Sequence, residues 1–206
     1  MNKARLEALS DGVFSIVLTI LVFDIRLPEH TGAISNAELW NQLLILLPSI
    51  TSFALSFLVI AVFWINHNFL FHTYTKKIDR GLNLLNLVYL LFLVFVPFSA
   101  HLMGTYSRNE PAALIYGLNI LIIIVLMRIM FAHVSKRPEL LNDVSTRISK
   151  QARFRATLTI VSYILGIVCS FVYIPASIFF YVIPMLFNVI PGTLDLIERI
   201  FRFKLA

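Results

Sequence analysis

Residues 112–131 read AALIYGLNILIIIVLMRIMF, an apolar run that contains a single charged residue, Arg128. A helix needs roughly 20 predominantly apolar residues to cross the hydrocarbon core of a bilayer. A transmembrane β-strand would instead alternate polar and apolar residues over about ten positions, and this run shows no such alternation. Because a backbone in lipid must satisfy its own hydrogen bonds, the stretch predicts a membrane-spanning helix.

Five further apolar runs of similar length precede and follow this one. The sequence is 59% hydrophobic and 14% charged, whereas a soluble domain is about half apolar and about a quarter charged. We therefore predict an all-α integral membrane protein with six transmembrane helices. We expect a single six-helix transmembrane domain, residues 1–206, that ends in a short cytoplasmic tail, 192–206. Pro48 is expected to kink or locally loosen the second span. The predicted spans are residues 6–27, 39–65, 82–103, 112–131, 154–173 and 176–190.

Positive charge is distributed unevenly between the two sides of the predicted membrane. The formal net charge of +6 could indicate nucleic-acid binding, but in a membrane protein Lys and Arg concentrate on the cytoplasmic side. With a cytoplasmic N-terminus, the opposite side keeps only Arg26 and Arg108. This asymmetry predicts a multi-pass protein of the cell membrane with both termini in the cytoplasm and no nucleic-acid partner. The cytoplasmic basic residues are Lys3, Arg5, Lys76, Lys77, Arg80, Lys136, Arg137, Arg147, Lys150, Arg153, Arg155, Arg199, Arg202 and Lys204.

Polar side chains are concentrated at the start of the first span and the end of the second. Arg5, Ser10 and Asp11 open the first helix, and Trp64 and His67 end the second, which returns to the same side of the membrane. Such groups are costly in a membrane and require partners. Indole and imidazole N–H groups can donate to a carboxylate or a hydroxyl oxygen. We therefore predict a polar lock between the two helices, with structural anchoring as the favoured role and proton sensing by His67 as the alternative.

The same region resembles a known family. The segment RLEALSDGVFSI, residues 5–16, is similar to the R-x-x-x-F-S-D signature on the first helix of the transmembrane protein 175 family. Arg5, Ser10 and Asp11 match the signature, and Leu9 stands where it has phenylalanine. Members of that family are potassium-permeable channels. The resemblance implies a homotetramer whose central pore is lined by the first helix of each subunit.

One stripe of the first helix is the candidate pore lining. At about 100° per residue, Ile16, Ile20 and Phe23 share one stripe, which Thr19 borders, while Asp11 points nearly the opposite way. Composition alone favours contact with helices or lipid for such a stripe. The resemblance implies that Ile16 forms the apolar constriction of the family and Thr19 its threonine layer. Rings of bulky apolar side chains can stop conduction by dewetting, and a hydroxyl ring can replace part of a cation's hydration shell.

The predicted function is a potassium-permeable cation channel with a hydrophobic constriction on the first helix, and the sequence contains no T-V-G-Y-G filter. The expected partners are three further copies of the chain, monovalent cations and membrane lipid. The alternatives are a proton-permeable channel and a proton-coupled secondary transporter, although a transporter site would need more ionisable residues at the midplane. No HExxH or GxSxG motif occurs, so we expect no enzyme activity, no cofactor and no metal site.

Overall fold

The computed structural model describes residues 2–27, 34–142 and 146–189, and most of these residues are helical. A 3-10 turn, Leu21–Asp24, continues the first helix, and a π-helical turn, Phe69–Tyr74, continues the third. The predicted tail, 192–206, lies outside the described residues. The α-helices are α1 (Lys3–Ile20), α2 (Asn36–Ile45), α3 (Leu47–Asn68), α4 (Arg80–Val94), α5 (Val96–Thr105), α6 (Glu110–Ser135), α7 (Thr146–Ser170) and α8 (Ile174–Val189).

Helical segments occur at each of the predicted spans. Within the described residues, five are long and apolar enough to cross a membrane, and Ile174–Pro184 in α8 is a shorter apolar helix at the sixth position. The prediction of an all-α protein with several membrane-spanning helices is therefore confirmed. The five longer segments are Lys3–Phe23, Leu47–Tyr74, Arg80–Thr105, Glu110–Ser135 and Arg153–Ser170.

The predicted start of the second span, 39–65, was wrong. The helix is interrupted at Leu46, and the apolar residues before it belong to the separate helix α2. Pro48 lies in the first turn of α3, where its missing N–H has no intrahelical partner to lose. The helical run is interrupted beside the proline by the single residue Leu46, whose backbone lies in the right-handed helical region, as expected where a proline locally loosens a helix. The spanning segment runs from Leu47 to Tyr74.

The core lies where α1, α3, α4 and α6 meet. Each contributes a side chain with almost no exposed surface: Phe14, Ile60, Tyr89 and Ile123, respectively. Helix α1 contacts both α3 and α4, and α4 contacts α6. Because helices in a membrane associate through close packing and interhelical hydrogen bonds, these contacts determine which side of α1 faces inward.

Helices α7 and α8 are attached to this core through Tyr181. Its hydroxyl donates a hydrogen bond to the Ala113 carbonyl of α6 at 3.1 Å, and its ring stacks on Tyr163 of α7 with centroids 5.1 Å apart. Two glycines leave room for the ring. A Cβ at Gly166 would stand 2.5 Å from Cε1 of Tyr181, and one at Gly117 would meet the same side chain. A small residue at each position is therefore required for α8 to pack here.

Candidate functional site

Helix α1 and the turn after it present one buried and one exposed face. The predicted stripe is exposed: Ile16, Ile20 and Phe23 expose 58%, 44% and 63% of their surface. Thr19 is exposed beside them. The opposite face repeats every three to four residues, as expected for one side of a helix, and consists of Leu6, Ser10, Phe14, Val17 and Leu21. The chain itself thus leaves the candidate pore lining uncovered.

Two hydroxyl groups on the exposed face bond to their own helix. Thr19 donates to the carbonyls of Ser15 and Ile16 at 3.0 and 2.9 Å, and Ser15 donates to the carbonyl of Asp11 at 2.8 Å. A hydroxyl has one proton and two lone pairs. Because each proton is directed at the backbone, each oxygen keeps lone pairs that can accept a hydrogen bond from water or coordinate a cation.

A buried chain of hydrogen bonds joins α1, α4 and α3. The Asn86 amide nitrogen donates to the Ser10 hydroxyl at 3.0 Å, and Nε2 of His67 lies 2.8 Å from the Asn86 amide oxygen. Since that oxygen can only accept, this arrangement places the proton on Nε2 of His67. Ser10 in turn donates to the carbonyl of Leu6 at 3.0 Å. All three side chains are fully or almost fully buried, so each bond replaces one that water would otherwise provide.

Aromatic rings surround His67 on several sides. Its ring centroid lies 4.5 Å from that of Phe71, 5.5 Å from that of Phe14 and 5.7 Å from that of Tyr89. These rings exclude water from the imidazole and hold it in one orientation. The sequence analysis did not identify them, although Phe14 follows Ser10 by four residues and shares its face of α1.

Asp11 makes a separate link at the surface of the bundle. Nε1 of Trp64 donates to the Asp11 carboxylate at 2.9 Å, and both residues are exposed. The structure therefore brings Ser10 close to His67 through Asn86, and Asp11 to Trp64 directly. It does not bring Arg5 to either pair. Arg5 precedes Ser10 by more than one helical turn and is exposed, and it has no side-chain bond to any described residue.

A second polar cluster, which the sequence analysis missed, lies at the start of α4. Asp79 caps that helix by accepting from the Leu82 N–H at 2.7 Å, and it also contacts Nε2 of His133 at 3.0 Å and the guanidinium of Arg137. Partial burial opposes ionisation, but the bonds from Leu82 and His133 and the charge of Arg137 hold the pKa of the Asp79 carboxyl below its ordinary value. The available signal was an aspartate before a helix together with a His–Arg pair at i, i+4.

No group of three or more His, Cys, Asp or Glu side chains among the described residues is arranged to hold a metal ion. The candidate site consists instead of an uncovered helix face, its hydroxyl groups and the bonds that fix the opposite face. The position of Asn86 between Ser10 and His67 is visible only in the folded chain.

Comparisons with known proteins concern the same region and the fold. A family model described as the endosomal/lysosomal potassium channel TMEM175 matches residues 5–97. A potassium channel of Streptomyces collinus is 31% identical over 86% of this chain and 87% of its own length. An endosomal/lysosomal proton channel TMEM175 of Danio rerio is 29% identical over 87% of this chain, a match that takes up 34% of the fish protein. The crystal structure of a lysosomal potassium-selective channel TMEM175 homolog from Chamaesiphon minutus aligns with a TM-score of 0.76 and 30% identity, covering 91% of this chain and 96% of that one.

Proposed function

The chain belongs to the TMEM175 family of membrane cation channels, and from this premise we propose that it conducts potassium through a central pore that four copies of α1 surround. The family is one of channels and not of enzymes. In this proposal Ile16 forms the constriction, Thr19 a layer of hydroxyl oxygens, and Ile20 and Phe23 the wider part beyond it. The observation that carries the proposal is the exposed face of α1, on which hydroxyl groups alternate with bulky aliphatic residues.

A lipid-facing surface would not be expected to carry this mixture. Polar groups in a membrane are costly and normally face a protein interior or water. Thr19 and Ser15 nevertheless lie on the face that the chain leaves uncovered. A ring of four Thr19 oxygens would offer partial replacement for the water of a passing cation, and a ring of four Ile16 side chains would exclude water when narrow. Selection by such rings does not require a filter of backbone carbonyls.

The buried face of α1 would hold this lining in register. Rotation of α1 about its axis would separate Ser10 from Asn86 and Asp11 from Trp64, which lie on α4 and α3. Both links are therefore proposed to position the helix, and neither needs to contact an ion. This role corresponds to the anchoring function predicted for the polar lock. The network that we propose includes Asn86 and does not include Arg5.

Potassium flux through reconstituted liposomes tests the proposal. Ile16→Asn should raise the flux at least severalfold, because a polar ring stays wetted where an isoleucine ring does not. The matched control is Leu91→Asn, which makes the same kind of change at an α4 position that is 67% exposed and should leave the flux unchanged. No flux in either the original chain or Ile16→Asn, or equal responses at the two positions, would contradict pore lining by α1.

Proton permeation is the second candidate, and the proton-channel relative favours it. The same liposomes loaded with a pH-sensitive dye would report proton entry under a potassium gradient. A proton-coupled secondary transporter is less favoured, because residues 12–20 of α1 contain no ionisable side chain that could bind a coupling proton. Saturation of flux together with strict coupling to a proton gradient would support the transporter over the channel.

We also propose that the chain resides in the cell membrane with both termini in the cytoplasm. The unequal distribution of Lys and Arg supports this orientation, with only Arg26 and Arg108 on the outer side. A fluorescent protein that matures only in the cytoplasm, fused to the C-terminus, should become fluorescent. A fused periplasmic phosphatase should stay inactive.

A further inference from the structure

Helix α2 exposes much apolar side-chain surface for a helix of ten residues. Leu39, Trp40, Leu44 and Ile45 expose 36%, 68%, 59% and 73% of their surface. At about 100° per residue, these four side chains spread over more than half of the helix circumference. A large exposed apolar patch marks a site of contact with a membrane, a ligand or another protein.

Packing contacts place α2 at one end of the bundle, where the helices enter the membrane. A single residue separates α2 from the spanning segment Leu47–Tyr74. Ser49 of that segment lies against Gly104 in the last turn of α5, where a Cβ would stand 3.1 Å from the Ser49 Cα. The turn after α5 carries the exposed Arg108, and α6 begins at the exposed Glu110. Because charged side chains avoid the hydrocarbon core, α2 lies at its boundary or just outside it.

The chemistry of α2 changes along its axis. The last three residues, Leu43–Ile45, are apolar, and because successive side chains point about 100° apart, this end of the helix is apolar on every side. The polar residues of α2 all precede Leu43 and are Asn36, Glu38, Asn41 and Gln42. The end that adjoins the spanning segment is therefore apolar, and the far end is polar, as expected for a helix that leaves the hydrocarbon core through the head-group layer.

Trp40 is the side chain of α2 best suited to that layer. Tryptophan combines a large apolar ring with one N–H donor, and it is enriched at membrane–water interfaces. Trp40 precedes Leu47 by seven residues, which is about 10 Å of helical rise. The head-group layer on each side of a bilayer is about 5–7 Å thick. The interruption at Leu46 allows α2 to tilt, which shortens the distance along the membrane normal and keeps Trp40 in or beside this layer.

We propose that α2 is embedded in the head-group layer of the membrane and that Trp40 anchors this end of the bundle there. Contact with water would leave four large apolar side chains solvated, which is unfavourable. A second copy of the chain would cover one side of α2, whereas its exposed apolar residues occupy more than half of the circumference. The boundary between head groups and acyl chains surrounds the helix and matches both its polar beginning and its apolar end.

The proposed anchor would fix the height of α3 in the membrane. Helix α2 joins α3 through Leu46, and Trp64 of α3 donates to Asp11 of α1. An anchored α2 would therefore limit the movement of α3 along the membrane normal, and with it the movement of α1. The proposal concerns contact with lipid and depends neither on which ion the channel conducts nor on which side of the membrane is cytoplasmic.

Tryptophan fluorescence tests this placement, because the chain contains two tryptophans and Trp64→Phe leaves Trp40 as the only one. The full-length variant is reconstituted into liposomes of phosphatidylcholine brominated either near the head group or near the ends of the acyl chains. Bromine quenches only nearby indoles, so we expect strong quenching by the shallow bromines and weak quenching by the deep ones. The difference in fluorescence between the original chain and Trp40→Phe gives the same quantity without removal of Trp64.

Acrylamide, a quencher dissolved in water, distinguishes the other surroundings. It should quench Trp40 much less than it quenches free tryptophan amide. Equal quenching of Trp40 and the free amide would place the side chain in water. Quenching by neither acrylamide nor brominated lipid would place it against a second copy of the chain. Either result would overturn the proposal.

A charge at the apolar end of α2 should displace the helix from lipid. In the Trp64→Phe chain, Leu44→Asp should reduce quenching by shallow bromines and increase quenching by acrylamide, because a carboxylate is costly at the hydrocarbon boundary. Asn41→Asp is the matched control, since it introduces the same charge at an exposed residue of the polar part, and it should leave both kinds of quenching unchanged. Equal responses in the two variants would contradict the proposal. Because the readout is the depth of an indole, it is independent of potassium flux.

Discussion

Helices α1 and α4 lie against each other, yet their exposed faces differ in chemistry. After Arg80, which begins the helix, every exposed residue of α4 is apolar, for example Leu84, Leu91 and Val94, and such a face suits contact with acyl chains. The exposed face of α1 interleaves Ile16 with Ser15 and Thr19. Both helices are equally apolar on the side that enters the core. The difference therefore concerns what each helix contacts outside the chain, and it motivates the proposal that α1 lines a pore.

A substitution at the contact between α1 and α4 should have the largest effect on the stability of the fold. Asn86→Leu removes the group that joins Ser10 to His67 and leaves the buried imidazole N–H without an acceptor. A buried donor left unsatisfied costs about 1–3 kcal/mol, and the bond to Ser10 is lost as well. We expect the free energy of unfolding to fall by about 3 kcal/mol, measured by circular dichroism as sodium dodecyl sulfate is added to mixed micelles.

Asn83→Leu provides the control for that change. Asn83 lies on the same helix, three residues earlier, and is half-buried. The same substitution there should change stability by less than about 0.5 kcal/mol. Equal losses at the two positions would show that α4 tolerates leucine poorly for reasons unrelated to the bond with α1.

The exposed faces themselves can be compared by exchanging a hydroxyl for a methyl group. Thr19→Val keeps the shape of the side chain but removes the oxygen proposed to face the ion. We expect potassium flux to fall about tenfold, which corresponds to about 1.4 kcal/mol in the barrier. The reciprocal change, Val88→Thr, places a hydroxyl on the exposed face of α4 and should leave flux unaltered. Equal flux in the original chain and Thr19→Val would remove the distinction between the two faces.

Much of the fold could be predicted from the sequence because a bilayer fixes the length of a spanning helix. The features of the fold that could not be predicted depend on tertiary contacts. The separate helix α2 was merged with the second span because its apolar residues, such as Trp40, continue the run without a break. The helical period alone predicts that Ile16, Ile20 and Phe23 share a stripe, whereas the choice of that stripe as the candidate pore lining came from the family resemblance.

The connections at the site were harder to predict for a physical reason. Ser10 and Asn86 are 76 residues apart, and nothing in either local sequence encodes which helix the other will meet. The concentration of polar residues at the start of α1 suggested that Arg5 would join the lock, but Arg5 is exposed in the folded chain. The cluster of Asp79, His133 and Arg137 was missed because it likewise forms only when α4 and α6 come together.

Removal of the surface link from α1 to α3 should have a smaller effect than removal of the buried one. Trp64→Phe keeps the apolar ring but deletes the N–H that donates to Asp11. A hydrogen bond to a partly exposed carboxylate contributes about 1 kcal/mol, and we expect that loss in the same unfolding titration. Trp40→Phe, on the exposed face of α2, is the control and should not change stability. If Trp64→Phe lowered the free energy of unfolding as much as Asn86→Leu does, burial would not explain the different strengths of the Trp64–Asp11 bond and the bonds of Asn86.

The smallest effect is expected at the beginning of α4, where a charge at Asp79 supports the helix that carries Asn86. Asp79→Asn keeps an oxygen that can cap α4 but removes the ion pair with Arg137, and a pair this accessible contributes about 0.5 kcal/mol. Because the pKa of Asp79 is lowered in the folded chain, the carboxylate stabilises the fold above the ordinary aspartate pKa. That contribution is lost as the pH falls through the lowered value. The difference in unfolding free energy between the original chain and Asp79→Asn should therefore be present at pH 7 and disappear in strong acid. Glu139→Gln, which removes an exposed carboxylate in the loop after α6, should show no comparable difference. A difference at Asp79 that persists in strong acid would assign its effect to helix capping and not to charge.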